Sequence, residues 1–139
     1  MARKQVKLKN YDLYLAKLKK YTRASRIKLV TNDIESSYSP TARRIRLDTD
    51  LPQSHVIASL LHELGHSMDD LLVPKYLKSL DKAYTAIYKD KQTAAQMTLV
   101  IDCEKRAWDY GRKIATILNI RLGKWYDDYQ KACLAAYRT

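Results

Sequence analysis

The run SHVIASLLHELGHSMDD, residues 54–70, sets two imidazoles and a carboxylate inside an otherwise apolar stretch. A polar group taken out of water must find a partner, so aliphatic side chains are the ordinary filling of such a helix. Ser54 is placed to cap a helix that runs to about Met68 and stops near Asp69 and Asp70, ahead of Pro74. His62 and His66 are one turn apart and present a ring nitrogen each to the same side. Glu63 is rotated by about 100° around the axis, beside that point instead of on it. Two imidazoles so spaced span two corners of a tetrahedral zinc ion, and a neighbouring carboxylate is placed to act as a base.

A catalytic zinc ordinarily takes three protein ligands and keeps one position open. Asp69 and His55 are each seven residues from His62, about 10 Å of helical rise, which puts both out of reach. The extended pattern with a third histidine is absent, because Asp69 and Leu72 occupy its glycine and histidine positions. Residues 93–119 form a long predicted helix with three acids. Asp102 and Asp109 share a face with Lys105, Arg106, Arg112 and Lys113, whereas Glu104 shares one with Val100, Ala107, Trp108 and Gly111. A carboxylate on a buried face needs a cation. Glu104 is therefore the candidate third ligand, and a buried pair with an arginine is the structural alternative.

Around these motifs the pattern is α+β, mainly helical, with one small antiparallel sheet before the histidine-bearing helix. Three glycines and three prolines in 139 residues favour helix over a turn-rich β fold. Residues 10–22 read as an amphipathic helix behind Asn10, and RIKLVTN (26–32) and RRIRLDT (43–49) as alternating strands. Further helices are expected over 75–89 and in the closing stretch GKWYDDYQKACLAAYR. The length suits a single domain, 1–139, with residues 1–9 as a basic flexible arm. Cys103 and Cys133 form no C-x-x-C pair and read as buried, reduced thiols.

The net charge of +11 is concentrated early: over residues 1–28, ten Lys and Arg face one acid, Asp12. Such a region suits a nucleic acid or an acidic partner, and as a bland alternative is a solvated helix face. No apolar run reaches the roughly 20 residues of a membrane span, and the amino terminus lacks the apolar core of a secretory signal. A cytoplasmic protein is expected.

Taken together, the HELGH helix after a strand pair, followed by Glu104-Lys105-Arg106-Ala107-Trp108 on a later helix, resembles the gluzincin branch of the zincin peptidases. The order of elements over residues 26–115 looks most like the small ImmA/IrrE-type metallopeptidases of phages, mobile elements and bacteria. Trp108 stands where an asparagine is expected, and an extra helix fills the long gap between His66 and Glu104. The resemblance implies a zincin-like fold, Zn2+ on His62, His66 and Glu104, and Glu63 as the general base on zinc-bound water in peptide-bond hydrolysis. Tyr38, Tyr110 and His55 are candidates for stabilising an oxyanion, and Asp69 or Asp70 for orienting a histidine ligand. RRIRLDT, as an edge strand, is expected to add a substrate strand. The rival expectation is a basic nucleic-acid- or protein-binding module with a structural or vestigial zinc site.

Overall fold

A computed structural model describes residues 7–72 and 77–137. Its elements are α1 (Tyr11–Ala24), β1 (Lys28–Thr31), β2 (Ser37–Ser39), β3 (Arg44–Leu47), α2 (Gln53–Leu72), α3 (Leu77–Tyr88), α4 (Ala94–Ile117) and α5 (Lys124–Ala135). The α+β, mainly helical expectation therefore holds, with a three-stranded mixed sheet in place of an antiparallel pair. No described helix is long and apolar enough to cross a membrane.

The sheet corrects the expected pairing. The strands lie in the order β1-β3-β2, with β1 and β3 parallel and β2 antiparallel to β3. The connection that reads as polar loop contains β2, which runs back along the sheet and leaves room for β3 to insert between it and β1. Alternation fixes which side chains face inward but carries no information on strand direction. RRIRLDT is therefore the central strand, not an edge. Leu29 and Tyr38 flank Ile45 from opposite sides, and Ile45 and Leu47 are fully buried. The free edge beside α2 belongs to β2.

Helix α2 forms the centre of the molecule. Val56, Ile57, Leu60, Leu61 and Leu64 are all fully buried, packed with Leu18 of α1, Ile45 and Leu47 of β3, Trp108 and Ile114 of α4, and Tyr126 of α5. It begins one residue earlier than Ser54, with the amides of His55 and Val56 donating to the Pro52 carbonyl, and continues through Asp69 and Asp70 to Leu72. Ser54 thus stands in the first turn instead of capping it. Asn10 precedes α1 in the left-handed region and makes no side-chain cap bond. In α4, by contrast, Thr93 and Gln96 form a reciprocal capping box. Of the predicted basic arm, residues 1–6 lie outside the described residues. Leu8 is tied down, its amide donating to Gln53 Oε1 at 2.8 Å. Tyr76, expected at the start of the third helix, also lies outside them.

Helices α2 and α4 pack in opposite directions through two glycine contacts. A Cβ on Gly65 would collide with the carbonyl of Ala107. One turn away, a Cβ on Gly111 would stand 3.0 Å from the Leu61 carbonyl oxygen and 2.6 Å from the Tyr126 hydroxyl. Each helix supplies one glycine, so backbone meets backbone. This close approach carries Glu104, one turn before Ala107, up to the two histidines.

On an open helix Gly65→Ala would stabilise by about 1 kcal/mol. Here the clash is with backbone, and the expected outcome is a loss of about 2–3 kcal/mol as the helices part. Urea unfolding checks the sign; an unchanged or raised midpoint would show that the two helices are not in contact there.

Candidate metal centre

His62, Glu63 and His66 form a group able to hold a metal ion, with one ligand atom from each lying within 4.8 Å of the others. Both rings turn Nε2 toward Glu104. His66 Nε2 is 2.7 Å from Glu104 Oε2, and His62 Nε2 is 3.4 Å from Glu104 Oε1. Glu63 lies on the other side of the His62 ring, its Oε1 3.8 Å from Nδ1. One ion cannot draw on both nitrogens of a single ring, so an ion bound through the two Nε2 atoms faces Glu104, with Glu63 alongside.

The donor set and its unmet needs suit a cation. Donors on one tetrahedral zinc with bonds of about 2.0–2.2 Å stand about 3.3–3.5 Å apart, which matches the His62–Glu104 separation. The shorter His66–Glu104 separation is a direct ion-pair contact. His62 Nε2 and Glu63 Oε2 are both buried without a hydrogen-bond partner. As an unprotonated ring nitrogen and a carboxylate oxygen, both offer a lone pair, and such buried atoms are costly unless a cation or proton meets them.

Ionisation follows the same geometry. Burial pushes the Glu63 carboxyl upward, and the neighbouring histidines only partly offset it. Burial acts likewise on Glu104, but the close contacts and charge of His62 and His66 outweigh it and hold that carboxyl well below the usual range. His66 is disfavoured as a cation by burial, yet contacts with Cys103 and Glu104 lift it well above the ordinary imidazole value.

The site forms part of the lining of a cavity of about 900 Å³, together with Tyr38, Asp70, Tyr84, Cys103, Trp108, Tyr129 and Tyr137. Among the candidates for an oxyanion partner, Tyr38 borders this cavity; its hydroxyl accepts from Arg43 Nη1 at 3.3 Å. His55 instead stacks on the Tyr129 ring with centroids 4.1 Å apart, outside the lining. Tyr110 is also outside it, its ring beneath the Lys113 ammonium. Neither borders the cavity, for different reasons: His55 shares the face of His62 but lies two turns along the axis, and Tyr110 is turned off the α4 face that carries Glu104.

Asp69 is fully buried and accepts a two-pronged pair from Arg106, Nε to Oδ1 at 2.7 Å and Nη2 to Oδ2 at 3.1 Å. It meets no histidine directly. Cys103 lies between, donating to Asp69 Oδ2 at 3.4 Å with its sulfur 3.9 Å from His66 Nδ1. The ion-pair contacts of Glu104 among the described residues are with His62 and His66, not with an arginine, and Arg106 on the same helix is engaged with Asp69. Asp70 borders the cavity with Oδ2 buried and unpartnered, and makes no contact that would orient a ring. Cys103 and Cys133 are free, and both border the cavity.

Trp108, the departure from the expected asparagine, lies flat against His62 with centroids 4.3 Å apart and planes 10° from parallel. Tyr126 and Tyr129 meet it edge-on, and the Tyr126 hydroxyl donates to its carbonyl at 2.7 Å. The indole thus fixes the plane of the His62 ring. Sequence reasoning missed this role, and also the contacts of Tyr84 and Tyr137 with Glu104; all three read as members of apolar helical stripes. Tyr84 on the extra helix was the available signal, since a tyrosine in a stripe still carries a hydroxyl that needs a partner.

No protein-family model, curated protein or solved structure matches this chain. What the site can do is therefore a matter of its own groups.

Arg106→Met leaves the Asp69 carboxylate dry and without its cation, and is expected to cost about 3 kcal/mol; adding Asp69→Leu should recover most of it. Chemical unfolding of the single and double variants measures this. A double variant as unstable as the single one would mean that the charge pair is not the source of the loss.

Proposed function

We propose that the chain is a zinc metallopeptidase of zincin-like fold, with His62, His66 and Glu104 as metal ligands and Glu63 as general base. The observation that carries this reading is the convergence of two Nε2 atoms and one carboxylate from two helices beside Glu63, whose Oε2 has no partner. Bound zinc would supply an electrophile and acidify a water molecule.

The chain's own residues do the rest. Glu63, pushed up by burial and freed of hydrogen bonds at one oxygen, is suited to take a proton and later return it. Trp108 holds the plane of His62. Tyr38 offers a hydroxyl to a developing negative charge from the cavity wall. The free edge of β2 borders the cavity through Ser37 and Tyr38, and backbone groups there are available to an extended peptide as an added strand. A cavity of about 900 Å³ has room for side chains on either side of a scissile bond.

Glu63→Gln is expected to keep stoichiometric zinc and lose hydrolysis of a protein substrate by at least 1,000-fold, on the order of what removing a general base together with its charge costs. His66→Ala and Glu104→Ala should lose the metal itself. Elemental analysis with a peptidase assay on casein separates these outcomes. Full zinc occupancy in Glu104→Ala would remove Glu104 from the ligand set.

A second reading is favoured by one feature: Lys19, Lys20, Arg23, Arg26 and Lys28 are all exposed on α1 and the start of β1. They make this end of the molecule suitable for phosphates, in a module where zinc is structural or vestigial. Such binding must weaken steeply as salt rises. A gel-shift titration that finds none at low salt removes this reading and leaves the peptidase.

A further inference from the structure

The carboxylate of Glu104 has partners beyond the two histidines. Oε2 accepts from the Tyr84 hydroxyl at 2.7 Å, besides facing His66 Nε2. Oε1 accepts from the Tyr137 hydroxyl at 3.3 Å, besides facing His62 Nε2. Each oxygen therefore meets one imidazole and one phenol. Neither tyrosine lies on the helix pair that carries the metal group. Tyr84 is on α3, the helix that lengthens the gap between His66 and Glu104, and Tyr137 follows the end of α5.

We propose that Tyr84 and Tyr137 are positioning residues for Glu104, holding its carboxylate in the orientation that lets it bind a divalent cation together with His62 and His66. This rests on the metal reading above and concerns what tunes that site. A glutamate reaches its target through a flexible side chain, and a ligand free to rotate binds more weakly than one held in place. A carboxylate that gives one oxygen to a cation keeps acceptor capacity on the other, and an outside donor decides how the plane is turned.

The type of donor matters as well. An arginine or lysine in the same position would neutralise Glu104 and repel the incoming cation. A phenol donates one hydrogen bond and adds no charge. Two phenols thus orient the ligand while leaving its full charge to the metal.

The test uses the full chain, stripped of metal, with zinc affinity measured by competition against a chromophoric chelator. Tyr84→Phe removes one oxygen atom and is expected to weaken zinc binding about tenfold or more. Tyr137→Phe, whose contact is longer, should weaken it less, and the double variant more than either. Cobalt-substituted Tyr84→Phe should show an altered visible spectrum, which loss of packing alone would not produce in a folded protein. Tyr88→Phe, 92% exposed on the same helix, serves as the control and should match the parent. A Tyr84→Phe variant that is folded by circular dichroism and binds zinc within twofold of the parent would overturn the positioning role while leaving the metal site standing. A parent chain that binds no zinc would overturn both.

Discussion

The contact on which the site depends is a backbone one. Where α2 and α4 cross, Gly65 has no room for a Cβ against the Ala107 carbonyl, and Gly111 has little room against Leu61. Larger residues would separate the helices, and separation would carry Glu104 away from His62 and His66 together. The glycine of the HELGH run is thus a spacing device for Glu104 on another helix. Ala107, three residues beyond Glu104, is its counterpart. Two small residues and one acid on α4 form a single arrangement: the small ones bring the helix close, and the acid uses the closeness.

Burial gives that arrangement its electrostatic character. Glu63 and Glu104 are both 5% exposed and lie beside the same histidines, yet their environments push them apart. Glu104 accepts from Tyr84 and Tyr137, lies against His66 and is held as a carboxylate. Glu63 has one oxygen without a partner and is pushed toward holding a proton. Neighbouring acids driven in opposite directions take different roles, one as a permanent charge and the other as a proton carrier. Around them Trp108 sets the His62 plane, while Cys103 lies beside His66 Nδ1 and connects it to the Asp69–Arg106 pair.

Much of this was legible along the chain. His62 and His66 must share a face in any helix, and Glu63 must be offset from it, because helical periodicity is local. Glu104 could be picked out from Asp102 and Asp109 by phase alone, for the same reason. The helices read from apolar periodicity as 54 to about 68 and 93–119 are found over 53–72 and 94–117, while the Thr93–Gln96 box that starts α4 was not read. The sheet was less legible: alternation in RRIRLDT identified Ile45 and Leu47 as inward, but neither the parallel pairing with β1 nor the inserted β2 could be read from it. His55 and Tyr110 were named for their chemistry, and axial distance takes the first away from the cavity while helical phase takes the second.

The boundary between the two kinds of information is the range of the interactions involved. Sequence alone determined the local spacings: which histidines align, which acid faces inward, and where charge concentrates. Only the tertiary structure decided which distant groups meet, among them Glu104 with the histidine pair, Trp108 with His62, Arg106 with Asp69, and two tyrosines with one carboxylate. Periodicity says which way a side chain points, whereas what it points at depends on how closely whole helices can approach, and here two glycines without side chains set that distance.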